Sequence, residues 1–113
     1  MSGVVDDTPP FAIDDLTVTD TSLSSISLGW TAPADNTGGS GTDFYTVRYS
    51  TSQINQTNWY LATNFVGAIP NPATVGTGQQ VEVTGLASDT LYYLAISTTD
   101  NEGNESDISN VVS

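Results

Sequence analysis

The stretch Gly85–Asp100, GLASDTLYYLAISTTD, decides the fold of this chain. It begins with turn-forming residues and then alternates large and small side chains over eight positions. One face of this alternation carries Tyr92, Leu94, Ile96 and Thr98, and the other carries Tyr93, Ala95, Ser97 and Thr99. A period of two is typical of a β-strand that turns one face to a core. The stretch therefore predicts a strand whose leucine and isoleucine point inward.

Similar alternations recur along the chain, separated by turn residues. The predicted strands are residues 12–20, Ser24–Thr31, Asp43–Thr51, a weaker edge strand at Trp59–Val66, Gln79–Thr84, Tyr92–Thr99 and Asp107–Ser113. Short strands at regular spacing, without an amphipathic helix, predict an all-β antiparallel sandwich. Trp30 and Tyr92 fall in the inward phase of their strands, so we expect both in the core.

Composition excludes several classes of function. The chain has 113 residues, the length of one domain, and contains no cysteine or histidine. Disulfides, thiolate metal sites and a Ser-His-Asp triad are therefore excluded. Arg48 is its single cation against a formal net charge of −12. Nucleic acid and anionic membrane surfaces are excluded as partners, because both are bound through many positive charges. The like charge favours a monomer, and we expect Arg48 to pair with an acid on a neighbouring strand.

Several motifs, in order and at matching spacing, carry a resemblance to a known family. They are Pro9-Pro10, Asp15-Leu16, Trp30, Tyr45-x-Val47-x-Tyr49, Thr84-Gly85-Leu86, Thr90-x-Tyr92, Asp100-x-x-Gly103-Asn104 and Ser106-x-x-Ser109-Asn110-Val111-Val112. In these motifs the chain resembles a fibronectin type III domain, of the type found in prokaryotic secreted hydrolases and surface proteins. The resemblance implies a seven-stranded immunoglobulin-like sandwich with a tyrosine corner, in which the Tyr92 hydroxyl bonds to upstream backbone. We expect the domain at residues 9–113, after a cloning-derived start and linker at residues 1–8.

For function, the resemblance implies a non-catalytic structural or spacer module of a secreted or cell-surface multidomain protein. Its expected partners are the neighbouring domains of the parent chain, and its expected location is extracellular or at the cell surface. The loop Asp100–Glu105, DNEGNE, has no arginine, so integrin-type adhesion is not expected. An enzyme would need paired carboxylates flanking a cleft, which a small sandwich does not offer.

Two aromatic residues in the irregular middle of the chain give an alternative function. Trp59 and Tyr60 are adjacent on a predicted edge, and exposed aromatic rings can stack on the apolar face of a sugar. This predicts a carbohydrate-binding accessory module with polysaccharide as its partner. The other interpretation is that Trp59 folds down and covers the open end of the sandwich.

Calcium is the one cofactor for which the sequence offers ligands. Asp100, Glu102 and Asp107 supply carboxylate oxygens, which calcium prefers, around a turn at Gly103. Their spacing does not fit an EF-hand loop, so they predict a weak non-helical site. The alternative is that Gly103 and Asn104 shape a tight turn while the acids face water.

Overall fold

Two antiparallel three-stranded sheets form the fold in a computed structural model that describes residues 9–33, 44–100 and 103–113. The first sheet has the order β1-β2-β5 and the second the order β4-β3-β6. The strands are β1 (Thr17–Thr21), β2 (Ile26–Thr31), β3 (Phe44–Ser50), β4 (Thr63–Asn64), β5 (Gly78–Val83) and β6 (Tyr93–Thr99), with a 3₁₀ turn at Trp59–Leu61. None of the described residues belongs to a helix long and apolar enough to cross a membrane.

The C-terminal segment, residues 105–112, lies antiparallel to β6 and occupies a seventh strand position. Leu94 and Val112 exchange two backbone hydrogen bonds, of 2.7 and 3.0 Å. At the other end of β6, Thr99 forms a bridge with Glu105. The predicted seven-stranded antiparallel sandwich is therefore confirmed.

Serine side chains replace part of the backbone ladder between this segment and β6. The Ser106 hydroxyl accepts a hydrogen bond from the Thr98 amide, and the Ser109 hydroxyl accepts one from the Ile96 amide, both at 3.0 Å. Each serine is buried, so these hydroxyls satisfy strand amides that water cannot reach. The segment is consequently joined to β6 by bridges and side chains rather than by a continuous ladder.

Asn110 joins the two ends of the domain through its side chain. Its amide oxygen accepts a hydrogen bond from the Leu16 backbone amide at 2.9 Å, and its amide nitrogen donates to the Leu16 carbonyl at 2.8 Å. The two residues are 94 positions apart in the chain. This Asn110 clamp connects the residues before β1 to the C-terminal segment, and so ties the first sheet to the second.

The main core lies between the sheets and consists of inward residues of β2, β3, β5 and β6 together with residues from the adjoining segments. Its buried members are Ile13, Leu16, Leu28, Trp30, Tyr45, Val47, Phe65, Val81, Val83, Leu86, Leu94 and Ile96. Trp30 and Tyr45 meet edge to face, with ring centroids 5.1 Å apart, a favourable geometry for aromatic pairs. The inward orientation predicted for Trp30, Leu94 and Ile96 is confirmed.

The tyrosine corner is formed as the resemblance implies. The Tyr92 hydroxyl accepts a hydrogen bond from the Ala87 backbone amide at 3.0 Å. Leu86, which precedes that amide, is buried, and its own amide donates to the Ser24 carbonyl at 2.9 Å. Asp89 adopts a positive φ of 54°, which lets the chain turn sharply into β6. The corner thus fixes the connection between β5 and β6.

Removal of the Tyr92 hydroxyl tests this corner. Tyr92→Phe leaves the Ala87 amide without its acceptor while preserving the ring, so we expect a loss of about 1 kcal/mol in unfolding free energy. Urea denaturation of the variant and the wild type measures the difference. Tyr49→Phe, which removes a hydroxyl from the neighbouring ring 5.8 Å away, is the control, and an equal loss in both variants would contradict this role.

Besides the C-terminal segment, which forms bridges instead of a regular strand, two predicted strands differ from the structure. The first begins at Thr17, and the buried Ile13 and Leu16 precede it as an extended lead-in. The predicted edge strand at Trp59–Val66 is a 3₁₀ turn followed by the two-residue β4. Burial of the tryptophan draws this segment out of strand geometry.

The chain enters and leaves the sandwich at opposite ends. Asp15, before β1, accepts a hydrogen bond from the Thr31 amide at the end of β2, which places it at one end of the first sheet. Val112 pairs with Leu94 at the start of β6, beside the β5–β6 connection at the other end. The domain therefore separates whatever is attached to its two sides.

Candidate functional site

A second apolar cluster covers the outer face of the β4-β3-β6 sheet. Small residues in β6, Ala95 and Ser97, leave room on this face, and the fully buried Trp59 packs into it. The cluster consists of Ile54, Trp59, Ala62 and Ala95, with Tyr93, Ile108 and Val111 packed around it. Both faces of β6 are therefore buried, although its alternation predicted that only one would be.

Two asparagines hold the segment that carries Trp59. The Asn55 amide donates to the Asn58 side-chain oxygen at 2.7 Å, and the Asn58 amide donates to the Asn55 side-chain oxygen at 2.9 Å. The Asn58 side chain also donates to the Gln53 carbonyl at 2.9 Å. These bonds replace a regular ladder with a compact turn, and the 3₁₀ turn begins directly after it.

Glu105 is the polar centre of this face. Its carboxylate accepts hydrogen bonds from the Ser97 hydroxyl at 2.6 Å, the Tyr60 hydroxyl at 2.7 Å and the Trp59 indole nitrogen at 3.3 Å. Burial by itself would raise the pKa of Glu105, but these three donors and the charge of Arg48 outweigh it and hold the pKa below its usual value. The same contact raises the pKa of the Tyr60 phenol, because the carboxylate accepts its proton in a hydrogen bond.

Among the residues that the structure describes, Arg48 in β3 binds backbone carbonyls rather than an acid. Its guanidinium donates to the Ala62 carbonyl at 3.2 Å and to the Tyr60 carbonyl at 3.5 Å. The guanidinium carbon lies 5.2 Å from the Trp59 ring centroid and 5.5 Å from that of Tyr60, within the range of cation–π attraction. Within the described ranges, carbonyl and ring contacts thus take the place of the expected pairing of Arg48 with a carboxylate, and the charge of Arg48 acts on Glu105 from nearby.

The lowered pKa of Glu105 predicts a specific pH dependence. A carboxyl group with a folded-state pKa below its ordinary value of 4.5 stabilises the fold above that pH. This stabilisation disappears as the pH falls through the folded-state pKa. We expect wild type to lose more unfolding free energy than Glu105→Gln between pH 6 and about pH 3. Urea denaturation along this range provides the measurement, and parallel curves for the two proteins would contradict the assignment.

The structure separates the two aromatic residues that the sequence singled out. Trp59 is fully buried, so the expectation that it is exposed is wrong. The alternative anticipated its burial but not its place, because the ring covers the outer face of β6 rather than the open end of the sandwich. Tyr60 is 65% exposed, and the next residue, Leu61, is 88% exposed. Sugar binding at Trp59 would require the ring to leave its pocket, whereas binding at Tyr60 stays a prediction.

The predicted calcium ligands occupy different environments. Asp100 is buried, and its carboxylate accepts hydrogen bonds from the Asn104 amide at 2.9 Å and the Asn104 side chain at 3.0 Å. Asp107 is exposed, and Glu102 lies outside the described residues. Gly103 adopts a φ of 85°, and its amide donates to the Asp100 carbonyl at 3.2 Å. Within the described ranges, no group of three or more acidic side chains is gathered for a metal, and calcium binding stays a prediction.

Sequence reasoning did not identify Glu105 or Ser97 as members of this face. Glu105 is 46 positions from Trp59 in the chain, so no local spacing signals their contact. Chemically, the Glu105 carboxylate accepts hydrogen bonds from two hydroxyls and the indole, while the Arg48 guanidinium beside it donates to backbone carbonyls. It supplies no activated nucleophile with its base, and what it does is fix the 3₁₀ turn against the sheet.

Comparison with known proteins identifies the family. The family model described as "Fibronectin type III domain" matches residues 8–113. The chain belongs to the fibronectin type III family. A solved structure of a Fn3-like protein from Clostridium thermocellum superposes on this fibronectin type III domain with a TM-score of 0.60 at 25% identity. The superposition covers 92% of this chain and 90% of that one.

Two curated relatives place fibronectin type III domains like this one inside much larger proteins. Exoglucanase A of Cellulomonas fimi is 38% identical over 110 residues, which are 97% of this chain and 10% of that protein. Chitinase A1 of Niallia circulans is 36% identical over 104 residues, which are 92% of this chain and 12% of that protein. The domain thus spans about a tenth of the length of the relatives it matches. Domains of this family are generally non-catalytic modules of larger chains.

Proposed function

We propose that this domain is a non-catalytic spacer in a secreted or cell-surface protein that degrades polysaccharides. The main support comes from the relatives, an exoglucanase and a chitinase. The segment that matches this chain makes up 10% of the length of the first and 12% of the second. A segment of that size is one module among several, and the relatives' names concern polysaccharides. The proposed partners of this domain are accordingly the neighbouring domains of its parent chain.

The geometry of the termini supports a spacer. The chain enters beside Asp15 and leaves beyond Val112, at opposite ends of the sandwich. The seven residues of β6 alone span about 23 Å at roughly 3.3 Å per residue. Flanking domains would be held at least that far apart by a body with a closed core. Residues 1–8, the proposed linker, lie outside the described residues.

The charge of the domain suits an extracellular spacer. A net charge of −12 on 113 residues keeps copies apart by repulsion, which favours a soluble monomer. It also repels other anions, so an anionic polymer is disfavoured as a partner. We therefore propose a monomeric module that acts outside the cell.

A domain exchange tests the spacer role. Residues 9–113 replace the matching segment of Exoglucanase A, and a Gly/Ser linker of equal length replaces it in a second variant. We expect the exchanged enzyme to degrade an insoluble glucan as the native enzyme does, the linker variant to degrade it more slowly, and all three to act equally on a soluble substrate. Equal rates for the linker and the domain on the insoluble polymer would contradict a spacer, and so would hydrolysis by the isolated domain.

Carbohydrate binding is a second candidate function, favoured by the exposure of Tyr60. Burial of Trp59 removes one of the two aromatic rings that the sequence offered. Tyr60 keeps 65% of its surface exposed, and a sugar ring could stack on it. An accessory module of this kind would hold the parent chain on its polymer as well as separating its neighbours.

A further inference from the structure

In the part of the chain that the structure describes, strand β5 has a partner strand on one side only. The first sheet has the order β1-β2-β5, so β5 pairs with β2 and forms the edge of the sheet on its other side. The pairing with β2 runs from Gly78 to Val83 without a register shift. A regular edge strand presents a row of N–H and C=O groups that can pair with another extended chain.

A hydrogen bond at the end of the β2–β5 ladder shows which residues of β5 turn their backbone outward. The Ala32 amide donates to the Thr77 carbonyl at 2.8 Å, one step beyond the last paired residues. Hydrogen-bonded and non-hydrogen-bonded pairs alternate along an antiparallel ladder. Alternate residues of β5 therefore bond to β2, and the residues between them, Gln80 and Glu82, direct their N–H and C=O groups away from it.

The other sheet edges among the described residues are short or irregular. β1, at the opposite edge of the same sheet, has a register shift between Val18 and Asp20, and β4 has two residues. The C-terminal segment beside β6 is held by bridges and serine hydroxyls. Short length and irregularity are devices by which natural sheets prevent pairing at an edge. β5 has neither, so it is the edge best suited to accept a further strand.

An apolar cleft lies beside this edge. Its lining consists of Phe65, Ala68, Ile69, Pro70, Gln80, Val81, Glu82 and Thr84. Phe65 and Val81 are buried and belong to the main core, so they form the floor of the cleft. Its volume is about 460 Å³, within the roughly 300–1,000 Å³ of pockets that enclose small ligands, so it has room for the side chains of an added strand. We call it the β5 edge cleft.

Glu82 indicates the charge of the partner. Its side chain is exposed and accepts a hydrogen bond from the Ser25 hydroxyl at 3.2 Å. Arg48, the single Lys or Arg of the chain, lies in the other sheet and donates to backbone carbonyls. Opposite charges on neighbouring strands stabilise a sheet, and like charges destabilise it. A basic residue opposite Glu82 is therefore favoured, whereas a second copy of this chain, at a net charge of −12, is disfavoured.

We propose that the β5 edge cleft accepts an extended segment of the parent chain, from outside residues 1–113, as an additional strand of the first sheet. Apolar side chains at alternate positions of this segment enter the cleft, and a basic side chain between them faces Glu82. The origin of the segment rests on the proposed function, in which the rest of the parent chain supplies the partners. A short strand binds weakly, and a tether compensates for this, because short flexible linkers give effective concentrations of roughly millimolar.

Amide hydrogen exchange in a fusion protein tests the proposal. A probe strand of sequence KVKVTV is attached after Ser113 through a Gly/Ser linker, and the acidic probe EVEVTV replaces it in a second fusion. NMR measures exchange at the outward amides of Gln80 and Glu82 in both fusions and in the unfused domain. The amides of β1, the irregular edge of the same sheet, are the reference.

Two substitutions at one position separate strand addition from other causes of protection. Gln80→Pro removes an outward N–H, and proline is tolerated on an edge strand where that group faces solvent. Gln80→Thr also changes the side chain but keeps the N–H, so it is the matched control. Exchange in both variants is measured at Glu82, and urea denaturation confirms that each variant is folded.

We expect the basic probe to slow exchange at Gln80 and Glu82 by about tenfold, with little change in β1 and a smaller effect of the acidic probe. Gln80→Pro should abolish the slowing at Glu82, and Gln80→Thr should retain it. In the full parent chain, the same amides should exchange more slowly than in the domain alone.

No slowing with the basic probe, equal slowing with both probes, or slowing that persists in Gln80→Pro would overturn the proposal. Equal exchange in the parent chain and in the domain alone would overturn it as well. Exchange that slows as the concentration of the unfused domain rises would identify a second copy as the occupant and contradict the assignment. The domain exchange under the proposed function measures hydrolysis, so it can succeed or fail independently of these results.

Discussion

The Trp59→Ala variant is expected to lose about 3–5 kcal/mol of unfolding free energy, the usual cost of truncating a buried tryptophan. The ring is fully buried in the second cluster, its indole nitrogen bonds to Glu105, and its face lies under the guanidinium of Arg48. Truncation leaves a cavity over β6 and withdraws a donor from the carboxylate. Since small domains have roughly 5–15 kcal/mol in total, this variant is expected to be close to unfolding.

Urea denaturation followed by circular dichroism measures this loss. Tyr60→Ala is the neighbouring control, because its exposed side chain leaves no cavity, and its loss should be clearly smaller. Similar losses in the two variants would contradict the structural role of Trp59. The comparison also determines which aromatic residue can be mutated in a test of sugar binding. A loss of binding in Trp59→Ala would report unfolding, whereas Tyr60→Ala removes only an exposed ring.

Two adjacent positions in β6 are expected to be sensitive to substitution, Leu94 to a smaller side chain and Ala95 to a larger one. Leu94→Ala removes a fully buried side chain between the sheets, and we expect a loss of about 2–5 kcal/mol. Ala95→Leu inserts a large side chain beneath Trp59 on the other face, where we expect a loss of about 1–3 kcal/mol from overpacking. Thermal and urea unfolding of both variants measures these changes.

A strand with one face in water would tolerate the second substitution. Glu82→Gln in β5 is a suitable control, because Glu82 lies on an exposed position of a strand and the change preserves size. A neutral effect of Ala95→Leu, equal to that of the control, would show that the outer face of β6 is open in solution.

The sandwich was predictable because its signals are local. The alternation around Leu94 and Ile96 gives the strand and its inward face, and Leu86 with Tyr92 gives the corner. Each of these signals lies within a few residues, where strand geometry fixes which side chains share a face. The serines and Asn110 of the C-terminal segment were visible as a motif, and the structure supplies their role as acceptors for backbone amides.

The second cluster was not predictable from the same kind of signal. Ala95 and Ser97 are what a solvent-facing side of a strand can contain, and nothing nearby indicates that a ring covers them. That ring belongs to Trp59, which lies in a separate and irregular part of the chain. Its hydrogen-bond partner Glu105 lies in a third segment, after β6. Contacts between distant segments depend on tertiary packing, which overrides the local pattern.

The Asn110 clamp has a consequence for a domain under tension. The residues before β1 and the C-terminal segment run in the same direction, and a force applied at the two termini pulls them opposite ways. The bonds of Leu16, Leu94 and Val112 then lie across the direction of pull and are loaded together, in shear, instead of opening one after another. Forced unfolding is governed by the rate of crossing such a barrier. We therefore expect the domain to resist extension when the segments that flank it are pulled apart.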